Sequence, residues 1–409
     1  MAGAYTIYGG LKAVVWSDLI QGGALLFGGA LMLYLGLRLT GGGTLLEGGG
    51  VAGGGVLEGW AAFTRDNAPK LHTVLPWNDP DVPWLAVFIG GLWIPNLFYW
   101  GMNQFITQRT LGAKSLAEGQ KGIFLACLFK LAIPFLIVMP GIMAFDLFGD
   151  SILALAGGNE DRAGEIAYPY LIRHVMPPYL RGIMLAALAG AVMSSFNSGL
   201  NSAATIFTVD LYGKYVRRDP APQRQVLVGR VVTAAIVVLA CLWAPVISRF
   251  EGVFRYIQEI WGFITPGIVA AFLVGLILRR TPALAAKCAL LLSPVLYALS
   301  RIPGWVLRAN YEWQETADGV WQVTHTATGQ AADGFTALVF GYSTMAFLHH
   351  MGIIFLVLVA LMLLITRVRP LATPVTYPQS SIDTTGHPLA YVYGLAIIAV
   401  TVALYIIFW

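Results

Sequence analysis

The chain has 409 residues, 57% of them hydrophobic and 11% charged, with a formal net charge of +4 and a mean hydropathy of +0.70. Soluble domains carry about 25% charged residues, so this composition excludes a soluble globular protein and indicates a polytopic membrane protein. The small positive excess fits a loop bias, not a nucleic-acid surface. Cys127, Cys241 and Cys288 all lie in apolar stretches and read as small buried hydrophobes, not as a disulfide framework or metal site.

Nine apolar stretches reach the roughly 20 residues that a membrane span needs: 13–39, 82–105, 122–148, 179–211, 226–248, 253–278, 283–302, 335–366 and 389–409. Basic residues gather in alternate loops, for example Arg109, Lys114 and Lys121, then Lys214, Arg217, Arg218 and Arg224, then Arg279, Arg280 and Lys287. Such loops face the cytoplasm. The pattern predicts a multi-pass protein of the cell membrane with its N-terminus inside and its C-terminus outside. Of the outer loops, 41–55 is glycine-rich and predicts flexibility. In 310–326, Asp318-Gly319 sits between alternating β-formers and predicts a hairpin. No nucleotide-binding loop, metal motif or nucleophile elbow is present. Hydroxyls in the spans lack a His/Asp partner set, so an enzyme is not expected.

The second span is irregular. It continues as GGLWIPNLFYWGMNQFITQRTL over 90–111, with Pro95 after Gly90 and Gly91, and Gly101 further on. Proline removes a backbone donor and clashes with the preceding turn. Broken backbone survives in hydrocarbon only against protein or a wet cavity. Asn96, Tyr99, Trp100 and Asn103 stand at i, i+3, i+4 and i+7, one face of a regular helix. Amides and a phenol on flat apolar bodies suit a small hydroxylated solute, and a broken helix points to a transporter site. The bland alternative is a kinked helix with an interfacial aromatic belt.

Other polar residues lie within spans. Lys130 stands deep in LACLFKLAIP, one turn before Pro134. A charge there costs at least ~2.5–3.5 kcal/mol, so it either binds carbonyls freed near Pro134 or serves function. Further on, Ser194, Ser198, Asn201 and Thr205 share a face, with Ala187, Gly190 and Ala191 nearby. Close helix packing explains most of this stripe. The adjacent Ser194 and Ser195, with a carbonyl exposed by a local distortion, would give hard oxygen ligands for a small cation. Asp18, three residues before Gln21, either relays a cation or is a solvated helix-start charge. Gln258 precedes Pro266-Gly267 in another irregular helix, and is weak evidence alone. Arg38, His349 and His350 read as interfacial.

Five blocks are recognisable in order: YTIYGGLKAVVWSDLIQ (5–21), NLFYWGMNQFITQRTLGAKS (96–115), KGIFLACLFKLAIPFLIVMPG (121–141), AALAGAVMSSFNSGLNSAATIFTVDLY (186–212) and RYIQEIWGFITPGIVAAFLVGL (255–276). Together they resemble the sodium/solute symporter family, most closely its bacterial sodium/galactose (sodium/glucose-type) members. The resemblance implies an all-α, leucine-transporter-type fold of inverted five-helix repeats and sodium-driven sugar symport. It implies a sugar site with Asn96, Tyr99 as a gate stacking on the sugar, Trp100 flanking it, and Lys130 and Gln258. It implies sodium as the co-transported ion, held by the Ala191 carbonyl, Ser194 and Ser195, with Asp18 near the sodium exit route.

On this likeness, 1–40 is the last helix of the first repeat, 41–81 an outer loop, 82–280 the second repeat, and 281–409 three C-terminal helices carrying the hairpin. The earlier helices of the family pattern are absent from the chain. That absence implies a truncated form, or a partner polypeptide supplying the missing wall. Inositol, another polyol or an acidic sugar remain alternative solutes, and a non-transporting sugar sensor or inactive fragment an alternative role.

Overall fold

The computed structural model describes residues 2–79, 82–218, 220–247, 253–315, 321–376 and 385–409. In chain order the elements are α1 (Ala2–Thr40), β1 (Thr44–Leu45), β2 (Val51–Ala52), α2 (Val56–Asp66), α3 (Trp93–Leu97), α4 (Gln104–Leu111), α5 (Leu116–Ile133) and α6 (Met139–Leu155). There follow α7 (Glu160–Val175), α8 (Pro178–Ile206), α9 (Pro222–Ile247), α10 (Val253–Ile277), α11 (Ala283–Leu307), β3 (Tyr311–Glu315), β4 (Trp321–His325), α12 (Gly334–Thr344), α13 (Phe347–Val368) and α14 (Ala390–Ile407). Among the described residues, 8 helices are long and apolar enough to cross a membrane. The expected span over 82–105 is not one of them. It is helical only in pieces: wider π-type turns at Ala86–Gly90 and Phe98–Met102 flank α3.

The break in that span does not fall at Pro95. Pro95 lies in the first turn of α3, where its missing N–H has no intrahelical partner to lose. The chain leaves helical geometry at Gly91 (φ −121°) and at Asn103 (ψ 118°). Asn103 therefore does not continue a face with Asn96, Tyr99 and Trp100. It starts α4 instead, its Oδ1 accepting the Phe105 N–H at 3.4 Å.

The chain forms two compact units. The first comprises residues 1–73, 108–253 and 382–409. In it α1 packs along α8, and its core joins Met32 and Leu35 of α1 to Ile152, Leu171, Ile172 and Met184. Leu116–Leu155 is a 40-residue helical stretch with a π-type turn at Pro134–Val138 and a kink at Phe148 (φ −137°, ψ 18°). The glycine-rich loop is folded, contrary to the expected flexibility. β1 pairs with β2, and Gly42, Gly48, Gly49, Gly50, Gly53 and Gly54 all take positive φ. The guanidinium of Arg38 donates to the Gly53 carbonyl, and that of Arg181 to the Gly48 and Met176 carbonyls. Arg38 is thus a loop clamp and not merely an interfacial charge.

The second unit comprises residues 74–107 and 254–381. Its core includes Ile94, Val269, Ala289, Tyr297, Leu348, Met351 and Met362. The expected span over 335–366 is divided. Met345 (ψ 158°) and Ala346 (ψ 131°) are extended and separate α12 from α13. β3 and β4 pair antiparallel from Tyr311↔His325 to Glu315↔Trp321, while the Asp318-Gly319 turn lies outside the described residues. His350, read as interfacial, is fully buried in this unit, with its ring edge-on to Tyr342 at 5.0 Å. Cys127 and Cys288 are half-buried, but Cys241 is exposed on α9, as an apolar thiol against lipid can be.

Candidate functional site

The sequence-derived site residues divide between the units. Asn96, Tyr99, Trp100 and Gln258 belong to the second; Asp18, Lys130, Ala191, Ser194 and Ser195 belong to the first. In the second unit, Tyr99 is the hub of an aromatic group. Its ring lies 5.2 Å from Trp100, 5.4 Å from Phe105 and 5.6 Å from Trp261 of α10. The widened turn at Phe98–Met102 carries Tyr99 and Trp100 together, and Trp261 follows Gln258 by one helical turn. Gln258 is buried, Tyr99 half-buried, and Asn96 and Trp100 exposed. The Asn96 amide donates to the Leu92 carbonyl at 2.9 Å, which leaves its Oδ1 to accept from a ligand. An amide, a phenol and indole faces can together hold a hydroxylated solute by hydrogen bonds and C–H stacking.

In the first unit, α8 runs unbroken through Ala191, Ser194 and Ser195. The local distortion expected there is absent, and the helix widens only from Phe207 to Val216. The Ala191 carbonyl is thus not freed by a kink, although a helical carbonyl keeps a second lone pair. Ser194 is half-buried and Ser195 exposed. The Ser198 hydroxyl donates to the Ser194 carbonyl at 2.8 Å. Small residues on α8 let α1 close in: a Cβ on Gly190 would come within 2.7 Å of Gln21 Cγ. Lys130 is exposed on α5, one turn before the widened Pro134–Val138 segment.

Asp18 is half-buried and not isolated. Its Oδ2 accepts from Arg109 Nη2 at 2.5 Å, and the same nitrogen donates to the Ser198 hydroxyl. Asp18 Oδ1 and Gln21 Oε1 are buried with no hydrogen-bond partner among the described residues. The free oxygens of the Asp18 carboxylate and the Gln21 amide are hard acceptors of the kind a small cation takes, with the Arg109 guanidinium already held on the other Asp18 oxygen. The sequence marked Asp18 but treated Arg109 as a cytoplasmic loop charge. The two lie 91 positions apart, and a basic residue after a span reads as topology first.

A multi-span helical membrane protein with polar clusters at a broken helix and along a small-residue helix interface is the architecture of a secondary transporter. The family model of the sodium:solute symporter family matches residues 1–292. The chain belongs to that family. It is 41% identical over 296 residues to the sodium/glucose cotransporter of Vibrio parahaemolyticus, a match that covers 69% of this chain and 52% of that protein. It is 32% identical over 304 residues to the sodium/myo-inositol cotransporter 2 of Rattus norvegicus, covering 71% of this chain and 45% of that one. The chain thus spans about half the length of the curated relatives it matches. A solved Na+-coupled sialic acid symporter, in a substrate-bound outward-open state, superposes with a TM-score of 0.63 at 19% identity over 92% of this chain and 66% of that chain. That likeness shows the shared leucine-transporter-type fold class.

Proposed function

We propose that the whole protein is a transporter and not an enzyme, coupling the entry of a hexose to that of sodium across the cell membrane. The observation that carries this reading is the 41% identity to a sodium/glucose cotransporter over 296 residues, 69% of this chain; the family match over residues 1–292 takes in the aromatic hub and the α8 serines. In this reading Asn96, Tyr99, Trp100, Lys130 and Gln258 contact the sugar. The Ala191 carbonyl, Ser194 and Ser195 ligate sodium, and the Asp18 cluster lies on the ion's way out. Sodium favours the outward-open state, the sugar then binds, and closure exposes both to the cytoplasm. Each sodium ion adds ~2.3 kcal/mol per 100 mV of membrane potential to its concentration term. The basic loops favour a cytoplasmic N-terminus for this chain.

Reconstituted protein with an inward sodium gradient should accumulate labelled D-glucose or D-galactose. Collapsing the gradient should abolish accumulation; uptake indifferent to sodium would sink the reading. A second reading, a polyol such as myo-inositol, is favoured by the 32% identity to a myo-inositol cotransporter. Competition between unlabelled inositol and labelled glucose in the same assay ranks the two.

A further inference from the structure

One buried charge cluster is used by none of the roles above. Arg301 of α11 is 3% exposed, and its partner Glu259 of α10 follows Gln258 directly. Every guanidinium nitrogen of Arg301 is engaged. Nε donates to Glu259 Oε2 at 3.3 Å and Nη2 to Glu259 Oε1. Nη1 donates to the carbonyls of Ser343 at 2.9 Å and Met345 at 3.0 Å. Those carbonyls are the ones that the break between α12 and α13 deprives of helical partners. The Tyr297 hydroxyl also donates to Glu259 Oε2, at 2.7 Å.

Two further ties join α11 to the same stretch of α10. Tyr297 fills the space a side chain at Gly262 would need, since a Cβ there would fall 2.2 Å from Tyr297 Cζ. Its ring stands edge-on to Phe263 at 4.8 Å. Beside Pro266, inside α10, the Ser293 hydroxyl enters the helix ladder. It accepts the Gly267 N–H at 3.1 Å and donates to the Phe263 carbonyl at 3.1 Å, so a side chain of α11 bridges one i→i−4 step of α10. Glu259, Gly262, Phe263 and Gly267 thus form the α11-facing side of α10. At 100° per residue, Gln258 lies roughly 120° and Trp261 roughly 180° around the helix from that side. Trp261 is the residue that packs on Tyr99.

We propose that α11 clamps the rotation of α10, with Glu259 and Arg301 as the positioning pair that aims Gln258 and Trp261 towards the Tyr99 hub. Neither charge touches solute; both act through the helix. A buried ion pair is costly to desolvate, so its use as a register device is its best-attested role. The clamp rests on geometry alone; only its consequence for solute affinity rests on the sugar-site reading.

The test reads helix orientation and ligand affinity separately. In a background carrying Cys127→Ala, Cys241→Ala and Cys288→Ala, single Gln258→Cys and Ile257→Cys variants report the two sides of α10. Gln258 is 7% exposed and Ile257 41% exposed. A water-soluble maleimide should react slowly with the first thiol. Adding Arg301→Lys, which keeps a charge but loses the fork, should raise that rate about tenfold by easing local opening. The rate at Ile257→Cys should stay level or fall. Equal rises at both thiols would mean general loosening and overturn the clamp, as would no change at either. Should Arg301→Lys fail to fold, Glu259→Gln with Arg301→Met leaves no unpaired charge and is read the same way. Binding of labelled D-glucose should then half-saturate at about tenfold higher concentration, a 1.4 kcal/mol loss, with sodium half-saturation unmoved. A thiol signature without that shift supports the clamp and removes Gln258 from the solute site.

Discussion

Among the described residues, two carboxylate–guanidinium pairs join different helices, one in each unit, and they are completed differently. Glu259–Arg301 has side chains 13% and 3% exposed, and each of its polar atoms has a protein partner. Asp18–Arg109 has side chains 20% and 31% exposed, and it leaves Asp18 Oδ1 and Arg109 Nε without partners among the described residues. A buried polar group that is fully hydrogen-bonded stiffens its surroundings, while one left short costs free energy until something supplies the missing bond. The first pair is therefore suited to be a strut. The second leaves Asp18 Oδ1 short of a partner, which is the capacity that the proposed ion role would draw on.

The sharpest way to break this contrast is to remove one cation from each pair. Arg301→Met strands the Glu259 charge and three acceptors, and should cost about 3–5 kcal/mol of stability. Thermal melting of purified protein measures it, and the double variant Glu259→Gln with Arg301→Met should recover most of the loss. Asp18→Asn removes only one bond of an incomplete set, and should cost about 1–3 kcal/mol. Its signature should instead be a raised sodium requirement in the uptake assay, with solute half-saturation unchanged. If the two variants destabilised equally and neither altered ion dependence, the distinction between strut and exchange site would fall.

Tyr99→Phe should show the converse pattern. The ring stays on Trp100, Phe105 and Trp261, so the aromatic packing is kept, while on the proposed role one hydrogen bond to the solute, worth ~0.5–1.5 kcal/mol, is lost. Solute half-saturation should rise severalfold while sodium dependence holds, and Tyr99→Ala should be worse on the first count. Wild-type affinity in both variants would remove Tyr99 from the site.

What the sequence made legible follows from period and composition. Hydropathy located eight of the nine expected spans as long apolar helices, because lipid forces each segment to satisfy its own backbone. The irregular second span was visible from its Gly and Pro residues, but the break was assigned to Pro95, which tolerates a first turn, instead of Gly91 and Asn103. Gln258 was noticed while Glu259, beside it, was not. Arg301 sits near the end of α11, where a charge looks interfacial, and its partner is 42 positions away. Arg109 was hidden for the same reason. Charge pairs between distant helices leave no periodic trace, so the topology is readable from one chain and the polar wiring is not.

A third carboxylate separates saturation from burial, and should give the smallest effect. Asp333 caps α12 outside the membrane spans. Its Oδ1 accepts the Thr336 N–H at 2.9 Å and its Oδ2 the Thr336 hydroxyl at 3.1 Å. Like Glu259 it has both oxygens engaged; unlike Glu259 it is exposed to solvent. The Thr336 hydroxyl, then the Thr336 N–H, hold its carboxyl below the ordinary value. A carboxyl depressed in the folded state contributes its full stability above the unfolded pKa of ~3.9 and loses it as pH falls through the lower folded value. The first turn of α12 should therefore keep its amide-exchange protection at pH 5 and lose it only below about pH 4. Asp333→Asn, which can still cap, should hold that protection at every pH with no measurable change in melting. If Asp333→Asn instead destabilised as strongly as Arg301→Met, engagement of both oxygens would matter more than water exclusion, and the strut role of Glu259–Arg301 would owe nothing to its burial.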